Sequence, residues 1–135
     1  MASTSGNNPF NTRIAIIGSG FGGLGTAIRL KGRDIEDFVI FERDSDVGGT
    51  WRDNSYPGCA CDVQSHLYSF SFAPNPDWTR SYSHQPEIWD YLKRCAADFH
   101  ILPHIRFRHD VREAAWDERA QLWRIETSQG NFTAS

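Results

Sequence analysis

The chain has 135 residues, of which 39% are hydrophobic and 23% charged, with a formal net charge of −3. This composition is typical of one globular domain or a piece of one, and it excludes disorder, collagen and coiled coil as the main structure. The lack of a basic surplus argues against nucleic-acid binding, and no apolar run is long enough to predict a transmembrane segment.

The N-terminus and the cysteines bear on cellular location. The first residues are polar and lack the basic and apolar regions of a secretory signal. We expect a flexible tail over 1–12 and a folded domain over 13–135. The chain has three cysteines, Cys59, Cys61 and Cys95, and no secretion signal. This odd number predicts free thiols in a cytoplasmic protein. Their spacing supplies no set of four zinc ligands, so no metal site is predicted.

A strand–helix–strand unit is predicted over residues 13–42. Arg13–Ile17 is a short apolar, β-branched run, which predicts a strand buried on both faces. An apolar pattern with helical spacing runs from Leu24 to Leu30, and Gly32 suits the helix end. Phe38–Phe41 predicts a second buried strand. A helical crossover between the two strands makes them parallel.

The remaining elements are predicted from breakers and periodicity. Glycines and prolines interrupt residues 43–83, which predicts a long, mostly irregular segment. An apolar stripe predicts a helix that starts near Pro86 and ends before Pro103. Strands are then predicted at Ile105–Phe107, Val111–Trp116 and Leu122–Thr127, with a hairpin turn at 118–120 and a further strand that begins at Phe132.

Three glycines follow the first predicted strand at the spacing G-x-G-x-x-G, namely Gly18, Gly20 and Gly23. In this context the first permits a tight turn, the second lets the backbone approach a pyrophosphate, and the third allows close helix–strand packing. The N–H groups at the helix start then face the phosphates. The pattern predicts a dinucleotide site, and the alternative is a glycine-rich turn that holds no ligand.

An acidic residue is expected at the end of the second strand, and Glu42 stands there, 24 positions after Gly18. Its carboxylate suits the hydroxyls of an adenosine ribose and repels a 2′-phosphate, which favours FAD or NAD over NADP. The alternative is a solvated strand end. The following Gly48-Gly49-Thr50-Trp51 suits a long ligand that needs further backbone contacts and an aromatic wall, and so favours FAD.

The segment 48–62, GGTWRDNSYPGCACD, resembles the Baeyer–Villiger flavoprotein monooxygenases. It fills every fixed position of the family pattern [A/G]-G-x-W-x-x-x-x-[F/Y]-P-[G/M]-x-x-x-D, at Gly48, Gly49, Trp51, Tyr56, Pro57, Gly58 and Asp62. The stretch 65–72 is also similar to the family, and the resemblance extends from about Arg13 onward.

This resemblance implies an α/β fold: a Rossmann-like FAD-binding domain with a βαβ unit, a parallel sheet and a β-meander. It implies FAD and NADPH as cofactors, and O2 and a small-molecule ketone as substrates. In such enzymes a flavin C4a-peroxide inserts oxygen into the ketone to give an ester or lactone.

The resemblance also implies roles for particular residues. Asp62 matches an active-site aspartate near the flavin and the nicotinamide, thought to act with a distant arginine. The implied FAD contacts are Gly18, Gly20, Phe21, Gly23, Glu42, Gly49, Thr50, Trp51, Asp62, Val63, Tyr68 and Val111.

The sequence also departs from the family. The enzymes are several times longer, and their second G-x-G-x-x-G and their F-x-G-x-x-x-H motif do not occur here. We therefore expect an N-terminal part of such an enzyme, with its FAD domain incomplete at the C-terminal side and no monooxygenase activity alone. The alternatives are an N- or S-oxygenating flavin monooxygenase, or a non-catalytic module that binds a dinucleotide.

Overall fold

The computed structural model describes residues 10–135, so most of the predicted tail lies outside the described residues. The elements in chain order are β1 (Asn11–Thr12), β2 (Ile14–Ile17), α1 (Phe21–Lys31), β3 (Phe38–Phe41), α2 (Thr50–Asp53), α3 (Gln85–Asp98), β4 (Ile105–Arg106), β5 (Val111–Asp117), β6 (Leu122–Thr127) and β7 (Gly130–Ala134). Short 3₁₀ turns occupy Ser65–Leu67 and Leu102–His104. Asn11 and Thr12, which the sequence assigned to the tail, form a strand because they pair in parallel with β7.

The first sheet is parallel, with the strand order β2-β3-β4. Ile14 pairs with Phe38 and Ile40 pairs with Ile105, which confirms the predicted strand–helix–strand unit. The central strand β3 is largely buried. The prediction that the first strand is buried on both faces is wrong, since β2 is half-buried and Ile17 is 63% exposed. In the described part of the chain β2 is an edge strand, so it has a neighbour on one side only.

The second sheet is the predicted meander, with the order β1-β7-β6-β5. Both hairpins are antiparallel, and the first turns at Gln121, which has a φ of 54°. Ile125, Phe132 and Ala134 form a small buried cluster with Phe41 of the parallel sheet. The meander therefore covers the face of the parallel sheet on which Phe41 lies.

Two helices form the main core with the parallel sheet. Fully buried side chains at its centre come from α1, β3, α3 and the segment after α3, namely Leu24, Ile40, Ile88, Leu92 and Ile101. Pro86 lies in the first turn of α3, as predicted. The helix ends at Asp98, and His100 follows with a φ of 56°.

The long segment between β3 and α3 is mostly irregular, as predicted, but Thr50–Asp53 forms the helix α2. Backbone bonds to the start of α3 hold this segment, since Cys61 N donates to Ser83 O (2.9 Å) and Gln85 N donates to Cys59 O (2.9 Å). All three cysteines are free and buried. Over residues 10–135, no helix has the length and apolar character needed to cross a membrane.

Candidate functional site

The first glycine turn joins β2 to α1. Gly18 has a φ of 92°, and its N–H donates to Phe41 O at 2.8 Å, which ties the turn to the end of β3. A Cβ atom on Gly23 would lie 2.9 Å from the carbonyl carbon of Gly18 and closer still to its oxygen. Helix α1 starts at Phe21 without a side chain that caps its first N–H groups. These N–H groups form the start of an anion-binding turn.

Glu42 lies beside this turn, and its side chain is 4% exposed. One carboxylate oxygen, Oε1, accepts hydrogen bonds from Ser19 Oγ (2.6 Å) and Ser19 N (3.1 Å). The other, Oε2, accepts from Asp44 N at 2.9 Å. Burial alone would raise the pKa of Glu42, but the bonds from Ser19 and Asp44, together with the charge of Arg52, hold it below its ordinary value. The buried carboxylate is therefore ionised at neutral pH.

The second glycine pair closes on the first turn. Gly48 has a φ of 130°, and a Cβ atom there would lie 2.6 Å from Cδ1 of Trp89. Gly49 has a φ of 53°, and a Cβ atom on it would lie 3.2 Å from Cα of Gly20. Both positions thus require glycine for conformation as well as space. Gly48 N donates to Ser19 O at 3.0 Å, which fixes the two turns against each other.

Helix α2 brings Arg52 against Glu42. The guanidinium Nη1 lies 3.3 Å from Glu42 Oε2 and donates to Asp46 O at 2.6 Å, while Nη2 lies 3.0 Å from Asp44 Oδ2. Asp53 completes the set at 2.8 Å from Nη2. Burial lowers the pKa of Arg52, but these carboxylates together raise it above its ordinary value.

A cleft of about 450 Å³ opens between these elements, which is within the usual range for small-ligand pockets. Its lining includes six of the predicted cofactor residues, Gly18, Gly20, Glu42, Gly49, Thr50 and Val111. It also includes Ser19, Arg52 and His109, which the sequence did not predict as site residues. The structure therefore brings the two glycine turns, the acidic strand end and the start of β5 to one site.

Other predicted cofactor residues lie elsewhere. Trp51 is buried in the main core, and its Nε1 donates to the hydroxyl of Tyr68 at 3.0 Å. The ring of Phe21 packs edge-on against Tyr68, with 5.0 Å between ring centroids. Gly23 contacts the first turn from within α1. These four residues support the walls of the site and do not line the cleft described above.

Asp62 and Val63 lie on the exposed part of the long irregular segment. Val63 is 38% exposed, and its N–H contacts the sulfur of Cys61 at 3.4 Å. Neither residue lines the cleft around Glu42. The catalytic role predicted for Asp62 therefore stays a prediction.

A larger open groove of about 1250 Å³ runs beside α1 and reaches the end of α3. Of the predicted site residues it contains only Phe21. Across the described range, no group of three or more His, Cys, Asp or Glu residues is arranged to hold a metal ion. Arg29, Lys31, Arg33 and Asp98 contribute charge to this groove, but neither of the two glycine turns nor Glu42 lines it.

Sequence reasoning missed Ser19 and Arg52 for different reasons. Ser19 occupies an unspecified position of the G-x-G-x-x-G pattern, although its place between two glycines at a strand end was a usable signal. Arg52 lies ten positions beyond Glu42, whereas Arg43 directly follows it. Only the fold shows that Arg43 is 66% exposed whereas Arg52 is 11% exposed.

The chain matches a family model described as an NAD(P)-binding Rossmann-like domain over residues 16–95. It is 59% identical over 124 residues to a Baeyer–Villiger monooxygenase of Streptomyces coelicolor. That match covers 92% of this chain and 24% of the relative. The chain therefore spans about a quarter of the length of this relative.

Solved structures of monooxygenases are also similar to this chain. Over 92% of this chain, the open form of cyclohexanone monooxygenase superposes with a TM-score of 0.87 and 33% identity, and the match covers 25% of that protein. The protein named OTEMO, in complex with FAD and NADP, superposes with a TM-score of 0.84 and 29% identity over 91% of this chain and 24% of its own.

Proposed function

We propose that this chain, which belongs to the NAD(P)-binding Rossmann-like domain family, supplies FAD-binding residues of a Baeyer–Villiger monooxygenase. Its similarity to such an enzyme supports this proposal. The proposed reaction is the insertion of one oxygen atom of O2 into a ketone, with NADPH as reductant. The name of cyclohexanone monooxygenase supports a ketone substrate, and the complex of OTEMO supports FAD and NADP as cofactors.

The residues of the cleft fit the adenosine diphosphate part of FAD. The first turn of α1 offers uncapped N–H groups for a pyrophosphate, and the glycines at positions 20 and 49 leave no side chain between the two turns. Glu42 offers an ionised carboxylate for ribose hydroxyls. The observation that carries the proposal is this buried carboxylate, held beside two glycine turns at the carboxyl end of a parallel sheet.

When FAD is bound, it supplies the redox and oxygen chemistry. The residues of the cleft bind the adenosine diphosphate part of FAD and orient it. Ser19, Asp44 and Arg52 hold the carboxylate of Glu42, and the turns at Gly18 and Gly49 shape the phosphate site. The acidic side chains near Glu42 disfavour a 2′-phosphate, so NADPH is assigned to a different site.

Asp62 is proposed as an active-site aspartate through the family pattern that it completes. Its exposed position leaves its carboxylate accessible to a group outside the described residues. In this proposal it acts near the flavin and the nicotinamide, together with an arginine that this chain does not identify.

Titration of the purified chain with FAD, followed by flavin fluorescence and calorimetry, tests the proposal. We expect saturable binding of FAD and competition by ADP. Glu42→Gln should weaken binding by about tenfold or more, because it removes a charged acceptor of ribose hydrogen bonds. Glu126→Gln is the matched control, since Glu126 is an exposed carboxylate on the meander, outside the cleft.

Failure of FAD and ADP to bind the folded chain would contradict the proposal. Tight binding of NAD without binding of FAD would instead favour a non-catalytic dinucleotide-binding module. Equal affinity of the Glu42→Gln variant and the wild type for FAD would show that the cleft is not the adenosine site.

A further inference from the structure

We propose that Arg52 is the positioning residue for ribose recognition: it holds the carboxylate of Glu42 in the orientation that binds the ribose hydroxyls. This inference rests on the proposed function, because it assigns a role within the same adenosine site. It concerns a residue at an unspecified position of the family pattern, so the motif alone does not identify it.

The contacts of Glu42 single out Arg52. A carboxylate has about four acceptor positions; Ser19 and Asp44 fill three of them with hydrogen bonds, and the Arg52 guanidinium forms an ion pair with Oε2, so four contacts surround the carboxylate. A ribose hydroxyl that enters the cleft must therefore share or replace one of them. The Ser19 hydroxyl can rotate about its own bond, whereas the Asp44 donor belongs to the backbone.

Arg52 is the most firmly held side-chain donor in this set. Besides Glu42, its guanidinium contacts Asp44 (3.0 Å), Asp53 (2.8 Å) and the carbonyl oxygen of Asp46 (2.6 Å). The planar guanidinium has five N–H donors in a fixed geometry, so several contacts restrain its orientation together. Arg52 therefore keeps its place on Oε2 when another donor gives way.

The backbone around Arg52 is fixed as well. Arg52 N donates to Gly49 O at 3.1 Å, and the buried side chain of Gln85 on α3 donates to the carbonyl oxygen of Trp51. Helix α2 is thus bound both to the second glycine turn and to α3. This attachment gives the guanidinium a fixed origin from which to restrain Glu42.

The carboxylates around Arg52 also bear on specificity. Asp44 and Asp53 neutralise the guanidinium on the sides that Glu42 does not occupy. A 2′-phosphate would compete with these carboxylates for the cation and would be repelled by them. Arg52 therefore supports recognition of a free ribose diol, even though arginine often binds phosphate.

The test measures how much the ribose hydroxyls contribute to the affinity of each variant for ADP. Calorimetry gives the Kd of ADP and of 2′,3′-dideoxy-ADP for the wild type, Arg52→Gln and Arg52→Lys. Arg124→Gln is the matched control, since Arg124 is an arginine on the meander that is 61% exposed, pairs with Asp117 and does not line the cleft. Circular dichroism verifies that each variant is folded.

We expect the wild type and Arg124→Gln to prefer ADP over the dideoxy analogue by about tenfold or more. Arg52→Gln should reduce this preference to less than about threefold, because the carboxylate loses its fixed orientation. The preference of Arg52→Lys for ADP should lie between those of the wild type and Arg52→Gln, since a lysine ammonium supplies charge without the planar geometry of a guanidinium. If Arg52→Gln does not fold, the Arg52→Lys result decides.

Two outcomes would overturn the inference while the proposed function stands. One is an unchanged preference for ADP in the folded Arg52→Gln variant. If only Arg52→Lys folds, an unchanged preference in Arg52→Lys has the same meaning. The other is an equal loss of affinity for both ligands, which indicates a structural role alone. If the wild type binds neither ADP nor FAD, the proposed function itself fails, and the inference fails with it.

Discussion

Motifs predicted both the turn around Gly18 and Glu42 and the segment 48–62, yet the residues of these two regions differ in where they lie in the structure. Gly18, Gly20 and Glu42 all lie on one small cleft, as their spacing predicts. In the second segment, Gly49 lines the same cleft, Trp51 enters the core and Asp62 is exposed. A motif at a strand–helix junction specifies local geometry, whereas a motif on a long irregular segment specifies residues that the tertiary structure distributes.

The first prediction tests the turn by changing the glycine at its closest packing point. Gly23→Ala should destabilise the fold by at least about 3 kcal/mol, because the new methyl group collides with the backbone of Gly18. Urea unfolding measures the change. Gly22→Ala is the matched control one position earlier, where a Cβ meets nothing within 4 Å and alanine favours the helix by about 1 kcal/mol.

Equal stability of the two alanine variants would contradict the comparison. It would mean that the turn and the helix can separate without cost, so that the third glycine does not set the geometry of the site.

The second prediction concerns the pH dependence of the turn. Because the pKa of Glu42 is lowered in the folded state, its contribution to stability is present above the ordinary value of 4.5 and is lost as pH falls through the folded pKa. We expect Glu42→Gln to cost about 2 kcal/mol at neutral pH, where charged hydrogen bonds are lost. The gap in melting temperature between wild type and variant should close in acid.

Glu126→Gln serves again as the control, because the side chain is exposed and should show a small gap at every pH. A gap between wild type and Glu42→Gln that stays constant from neutral to acidic pH would show that the lowered pKa of Glu42 does not contribute to folding.

The third prediction has the smallest effect and tests the other side of the comparison. Asp62→Asn should change the free energy of unfolding by less than about 0.5 kcal/mol, since Asp62 is exposed. It should also leave the Kd for ADP unchanged, because Asp62 does not line the cleft. Thermal unfolding and calorimetry measure the two effects.

A loss of stability well above this range, or a weaker affinity for ADP, would place Asp62 in the folded support of the adenosine site. The segment 48–62 would then behave like the turn, and the contrast between the two regions would disappear.

The sequence by itself determined the elements whose causes are local. The apolar spacing from Leu24 to Leu30 predicted α1, and the alternating turns and strands after Val111 predicted the meander. The glycine spacing predicted the sharp turn, because few residues adopt a φ near that of Gly18. The role of Glu42 as a site residue was predicted from its position at the end of a strand.

Only the tertiary structure decided which side chains meet. The exposure of Ile17 depends on the edge position of β2, which strand composition does not encode. The helix at Thr50–Asp53 depends on contacts with Gln85 and the glycine turn, since four residues do not form a stable helix alone. The same contacts bring Arg52 rather than Arg43 to Glu42. These features come from packing between segments distant in sequence, so local propensity does not reveal them.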